Sequence, residues 1–249
     1  MSLLKCCFQN ILETSTVTIG AGSASASYPL YRLSDRNIGR LFKAGAAETL
    51  KIKIDQWASP LPVDRLLIPS GHNLSGMTSD VEWSTDDISY TPAITQWAGA
   101  AGLINKEYAA ALTKRYWQFT LTNPAAVPQF AELFLTSTYT WERNPSRPAG
   151  PFDDEHNTEN IEYRSGGDGF AVYGPAKRVR NYLMPSCGAA QLANILALNA
   201  AWAGSKPFWL CDENGVWIYG KLTKKIETKE IAAGAYSFDF NFKEVLGIT

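Results

Sequence analysis

The sequence predicts a mainly β protein, an N-terminal β-sandwich followed by a small C-terminal β-barrel or sandwich that carries one α-helix. Three observations predict it. Apolar and polar residues alternate strictly in Leu50–Asp55 and again from Tyr236 to Lys243, the period-two signature of a half-buried strand. Phe208-Trp209-Leu210 and Val216-Trp217-Ile218-Tyr219 flank Asp212-Glu213-Asn214-Gly215, so two aromatic, β-branched runs meet across an Asn-Gly turn. Helical periodicity is nearly absent before residue 140 and clear only once after it.

In chain order, 11–27 reads as a Thr/Val-rich strand and a small-residue loop, and 28–37 as an irregular segment rich in turn residues. Leu50–Asp55 and Val63–Ile68 are strands, with His72-Asn73 in the turn after the second. Asp80–Ser84 alternates before a polar tip at Thr85-Asp86-Asp87. Tyr116–Thr122 and Phe130–Leu135 are two further strands. Short strands at this spacing predict a sandwich over residues 1–142. Residues 143–160 hold prolines and a run of acids and read as a linker or extended crossing segment. The second domain, 161–249, opens with short strands at 161–164, 170–173 and 179–184. Its helix is expected over about 187–203, with Ser186 as N-cap and Leu192, Ile195, Leu196, Leu198 and Trp202 at helical spacing. Tyr236, Phe238, Phe240 and Phe242 then place four rings on one face of a closing strand.

Composition narrows the function. With 249 residues, 45% hydrophobic and 12% aromatic, the chain has material for a sizeable core, and its net charge of −1 gives no electrostatic footprint for nucleic acid or an anionic membrane. No apolar run has the length of a bilayer span, and the N-terminus lacks the h-region of a secretory signal, so folding in the cytoplasm is expected. Cys6, Cys7, Cys187 and Cys211 form no CxxC pair, so buried reduced thiols are expected rather than zinc or disulfides.

Candidate sites are few. His72 and His156 are the only histidines, and neither has a visible nucleophile beside it. His72 with Asn73 could touch a ligand or stabilise its turn, and His156 lies in the acidic linker. Asp153, Asp154 and Glu155 lack the alternation and glycine of a calcium loop and read as a solvated charge run. Ser165–Gly169 superficially looks like a phosphate loop but lacks the Lys-Ser/Thr pair and helix start. Lys177, Arg178 and Arg180, near Tyr173 and Tyr182, read as a subunit contact or salt-bridged strand. Trp57, Trp83, Tyr90 and Trp97 could stack on sugar rings; Trp83 alternates into a strand as core, while Trp57 and Trp97 sit in loop-like surroundings. The possible ligand contacts are therefore Trp57, His72, Asn73 and Trp97. No catalytic residue, metal or cofactor is implied.

Two resemblances add to this reading. Leu33–Asn37, Leu50–Asp55, Val63–Ile68 leading to His72-Asn73-Leu74, Val81–Ser84 with Asp86-Asp87, and Arg115–Phe119 together resemble the discoidin-like, galactose-binding-like jelly roll, over roughly residues 10–140. Gly71–Leu74 resembles a turn of phage tail proteins that carry this fold. Arg180–Leu183, the helix, Lys206–Leu210 and Tyr236–Glu244 follow the order of the tail-tube-like barrel of distal tail and baseplate hub proteins of long-tailed phages, over roughly 160–249. In the familiar distal tail proteins the barrel precedes the jelly roll, and here the order is reversed. The resemblance implies a non-enzymatic component of a phage or phage-like tail tip, found in the virion tail and made in the host cytoplasm. It implies head-to-tail self-association into a ring, six-fold for this family. It also implies contacts with tail tube, hub and tape-measure proteins, and possibly with a host-surface glycan. The alternative is a carbohydrate-binding module; a hydrolase is a weaker third class.

Overall fold

The computed structural model describes residues 2–145, 153–162, 168–201 and 206–245. The chain is mainly β and divides into two compact units. One is Cys6–Tyr139; the residues up to Lys5 group instead with the segment that begins at Thr140. The first few residues are thus not part of the N-terminal sandwich, contrary to a simple division at 142, and β1 (Lys5–Cys7) and β13 (Tyr139–Thr140) stand where the chain passes between units.

The first unit is a jelly-roll sandwich. Its larger sheet contains β2 (Thr16–Ala21), β4 (Leu50–Asp55), β6 (Thr78–Ser84), β7 (Thr91–Pro92), β8 (Trp97–Ala98) and β10 (Tyr116–Thr122), in the order β2-β4-β10-β6-β7 with β8 also on β6. A second sheet joins β5 (Pro62–Ile68), β9 (Ile104–Thr113) and β12 (Phe134–Thr136), and β3 (Phe42–Lys43) pairs with β11 (Gln129–Phe130). Every pairing is antiparallel. The alternation read in the sequence decides what faces inward: Ile52, Ile54, Val81, Trp117 and Phe119 from one sheet meet Leu66, Ile68, Ile104 and Leu135 from the other in one buried cluster. The strand expected over Phe130–Leu135 is broken between β11 and β12, and Glu132 in the break is fully buried. The ten-residue β9 was not expected, because its Lys-Glu-Ala-rich stretch carries little β propensity and is ordered by pairing with β5.

The second unit holds β14 (Asp153–Glu162), β15 (Asp168–Cys187), α1 (Ala189–Ala201), β16 (Phe208–Cys211), β17 (Trp217–Leu222), β18 (Glu227–Ala232) and β19 (Ala235–Glu244), with strand order β16-β17-β19-β15-β14 and β18 also on β19. The Asn-Gly hairpin forms as expected, with Phe208 opposite Gly220 and Cys211 opposite Trp217. Asp212 Oδ1 accepts from the Asn214 and Val216 amides, and Gly215 takes the left-handed φ of 84° that the turn demands. Phe238, Phe240 and Phe242 are buried and Tyr236 is half-buried. Trp141 lies 5.2 Å from Phe240, and Tyr182 stacks on Phe240 at 4.8 Å.

Three expectations are corrected. The acidic segment is not a linker throughout, because Asp153–Glu162 pairs with β15 as a ten-residue strand. Backbone pairing organises residues whose composition alone reads as solvated. The helix starts at Ala189, and Ser186 lies in β15 and does not cap it. The capping group is the distant Glu142, whose carboxylate accepts from the Gly188 amide at 2.7 Å and the Gln191 amide at 3.1 Å. The helix buries Gln191, Ile195 and Leu198 and leaves Leu196 exposed, so its inward stripe is narrower than the spacing suggested; Trp202 lies outside the described residues.

Candidate functional site

The sequence-derived ligand contacts separate to opposite ends of the jelly roll. Asp55, at the end of β4, pairs with Tyr116, which pairs with Ser84 at the end of β6. Trp57 follows Asp55 at this end. Trp97 pairs with Ser79 near the other end of β6, so the two tryptophans are separated along the sheet by about 17 Å at the usual strand rise.

At the Trp97 end, His72 and Asn73 fasten the chain. The Leu74 amide donates to His72 Nδ1 at 3.2 Å, which leaves the proton on Nε2 to be donated to the Gly102 carbonyl at 2.6 Å. Burial lowers the imidazole pKa, with the Gly102 hydrogen bond opposing, so the ring is neutral at neutral pH with both nitrogens engaged. Asn73 Oδ1 accepts from the Gln129 amide and its Nδ2 donates to the Val127 carbonyl, each at 2.8 Å. Both residues serve the turn. Trp97 is half-buried beneath the Lys106 ammonium, 5.3 Å from its ring. Nearby, a groove of about 630 Å³ passes Asp80, Ile94 and Tyr108; its Glu107 is already paired with Arg65 at 2.7 Å.

The Trp57 end is built differently. Trp57 is 56% exposed and sits at φ 57°, a left-handed conformation that a bulky residue adopts only when held. Two bonds hold it: its amide donates to Asp55 Oδ1 at 2.8 Å and its Nε1 to Thr16 Oγ1 at 3.1 Å. Arg115 forms a two-pronged pair with Asp55 at 2.8 and 2.9 Å, and its guanidinium lies 5.8 Å from the Trp57 ring and 4.6 Å from the Tyr116 ring. That hydrogen-bonded pairing lowers the Asp55 pKa and raises that of Arg115. Beside them Lys53 donates to Asp87 at 2.7 Å, lies 5.5 Å from the Tyr90 ring, and Tyr90 donates to the same Asp87 carboxylate. The tip loop is fixed by Asp86, which accepts from the Ile88 and Ser89 amides at 2.9 Å each and from Ser84 Oγ; these bonds bring its pKa down to about 2. Ile88, 83% exposed, is held out at the tip.

Of the four predicted contacts, only Trp57 belongs to this cluster. Arg115 and Tyr116 were not singled out, although Arg115-Tyr116 at the start of a strand opposite Asp55 is a signal that register makes readable. Trp83 packs against the core, with the Lys114 ammonium 3.9 Å from its ring.

In the second unit, the basic group is a salt-bridged strand. Arg178 pairs with Glu244 at 2.6 Å and Arg180 with Glu213. Asp153, Asp154, Glu155 and His156 fall on β14, and Lys243 reaches Glu155 at 2.5 Å. The side chains of Asp154, His156 and Tyr173, and residues 165–167 of the glycine-rich turn, lie outside the described residues. The unit also has free edges. Val179 is where β15 passes from one partner to the other: Val179–Cys187 is in register with β19, whereas Asp168–Arg178 runs beside β14 alone. The β14–β15 ribbon thus runs on for roughly 35 Å at the usual rise. Among the described residues, β14 pairs only with β15 and β18 only with β19.

No family model matches the sequence, and no curated protein matches it. Solved structures are similar to part of it. A chitosan-binding module of a chitosanase/glucanase from Paenibacillus sp. IK-5 shares 15% identity at TM-score 0.44, covering 52% of this chain and 99% of the module. CBM32-1 of a family 31 glycoside hydrolase from Clostridium perfringens shares 13% at 0.43, covering 52% and 99%. A putative α-L-fucosidase from Bacteroides thetaiotaomicron shares 15% at 0.46, covering 52% of this chain and 28% of the enzyme. In SpGH29, too, the similar part spans only 28% of that chain. Strand order and register, not these likenesses, define the jelly roll described above.

Proposed function

We propose that the protein is a non-enzymatic structural component of a phage or phage-like tail tip, whose second unit joins copies of itself into a closed ring. The observation that carries this reading is the β14–β15 ribbon. A two-stranded ribbon alone is marginal in water and gains from a further strand. The edge strand β14 carries Asp153, Asp154, Glu155, Glu159 and Glu162 with no Lys or Arg, while β18, which pairs only with β19, carries Lys229 between Glu227 and Glu230 and is preceded by Lys224 and Lys225. β14 of one copy against β18 of the next supplies backbone partners to both edges and sets the acidic β14 beside Lys224, Lys225 and Lys229. The contact is heterologous, and a heterologous contact makes a ring where its rotation closes, six-fold as the tail-protein resemblance suggests. Tail tube, hub and tape-measure proteins would be neighbours of such a ring. The test is mass in solution with negative-stain imaging of the purified chain: closed rings of six are expected, and a monomer at every concentration overturns the reading.

A second reading is carbohydrate binding by the jelly roll, favoured by the held, exposed Trp57 with charged pairs beside it. Titration of the full chain with glycans tests it, and absence of any binding would remove it.

A further inference from the structure

We infer that the Trp57 end of the jelly roll, rather than the end carrying His72, Asn73 and Trp97, is a binding site for neutral hexose oligosaccharides. The inference rests on the carbohydrate reading and gives it a place and a ligand class. Three rings, Trp57, Tyr116 and Tyr90, flank two cations at one end of one sheet, and two of them lie within 6 Å of Arg115. Aromatic faces accept the C–H face of a pyranose, and paired carboxylate and guanidinium groups offer acceptors and donors in fixed directions for its hydroxyls. Both parts are pre-set. The Trp57 backbone is already left-handed and its indole already tethered to Thr16, so ordering this residue costs little on binding.

Charge selects the class. The two cations among the rings each have a carboxylate, Arg115 with Asp55 and Lys53 with Asp87, so these pairs sum to zero. The neighbouring Lys114 ammonium lies against the Trp83 ring at 3.9 Å and is the one further cation beside them among the described contacts. Glu82, on the same face and bonded to Gln118 at 2.8 Å, offsets the charge of Lys114, so the end as a whole presents no surplus positive charge to a sialic acid, phosphate or sulfate. The opposite end lacks these features: both His72 nitrogens and the Asn73 amide are committed to backbone, and Trp97 is half-buried.

The experiment is calorimetric titration of the full-length chain with neutral hexose oligosaccharides and their sialylated counterparts, repeated with Trp57→Ala, Trp57→Phe, Arg115→Ala and Trp97→Ala. Expected are binding of the neutral series, a loss of tenfold or more for Trp57→Ala and Arg115→Ala, partial retention by Trp57→Phe, and no change for Trp97→Ala. Unchanged thermal midpoints would separate lost contacts from lost fold, and Trp57→Phe keeps the test open if Arg115→Ala unfolds. Binding that survives Trp57→Ala overturns this site but leaves the carbohydrate reading standing. Preference for sialylated ligands overturns the ligand class. No binding by the wild-type chain overturns both.

Discussion

Glu132 has no exposed surface, yet its carboxylate accepts from the Arg36 amide at 3.1 Å and from Asn10 Nδ2 at 3.3 Å. Arg36, at φ 59°, turns its guanidinium to Glu13 and to the Phe8 carbonyl at 2.8 Å, over the Phe134 ring. Burial raises the Glu132 pKa, with Arg36 opposing. Removing one member of such a network strands the others in a dry site. Glu132→Ala is therefore expected to destabilise the jelly roll by about 3 kcal/mol, read as a lower urea midpoint, with a smaller loss for Glu132→Gln. Asp86 carries a prediction of opposite pH sense. Its folded pKa is depressed to about 2, so its contribution to the tip loop is complete above the ordinary value of 3.8 and is lost as pH falls through about 2. NMR titration should show the Asp86 carboxyl and the Ile88 and Ser89 amides moving together near pH 2; a midpoint near 4 would refute the loop geometry. Neither role is visible in sequence. Glu132 reads as the polar residue of an alternating strand, and Asp86 as one of two acids at a tip.

Among the elements, the Asn-Gly hairpin and the aromatic closing strand were legible because their signals are local, a turn that needs glycine and a period of two. Gly220 shows what local signals omit. A Cβ there would stand 2.5 Å from both the Lys243 carbonyl and the Phe242 ring, so β17 approaches β19 closely only because this residue has no side chain. Gly220→Ala is expected to cost about 1–3 kcal/mol by overpacking, measurable as a fall in thermal midpoint. A neutral substitution would mean that β17 and β19 do not approach so closely. The helix cap, β9 and β18 were missed for one reason. Each is stabilised by a partner far away in sequence: Glu142 for the helix, β5 for β9 and β19 for β18. Edge strands rich in Lys and Glu carry little hydrophobic alternation to betray them.

At the scale of the molecule, the proposed ring would set the acidic β14 of one copy beside Lys224, Lys225 and Lys229 of the next. Replacing Lys224, Lys225 and Lys229 by Glu places like charge against the acidic β14 of a neighbouring copy. The variant is expected to remain folded by circular dichroism, since all three side chains are exposed, and to sediment as a monomer under conditions where the ring proposal expects the parent to assemble. Rings that persist would show that the copies join elsewhere.

By itself the sequence determined the mainly β class, the inward set of the sandwich and the aromatic face of the second unit, because burial at period two is written residue by residue. It also determined that the chain's net charge is close to zero, at −1. The tertiary structure decided which residues meet. Register put Trp57 and Trp97 at opposite ends of one sheet, committed His72 and Asn73 to a turn, and gathered Arg115, Tyr116 and Tyr90 around Trp57. Pairing made a strand of an acidic stretch and left it with an open edge. Contacts between residues sixty or more positions apart depend on how strands align, and that alignment is settled only when the whole core closes.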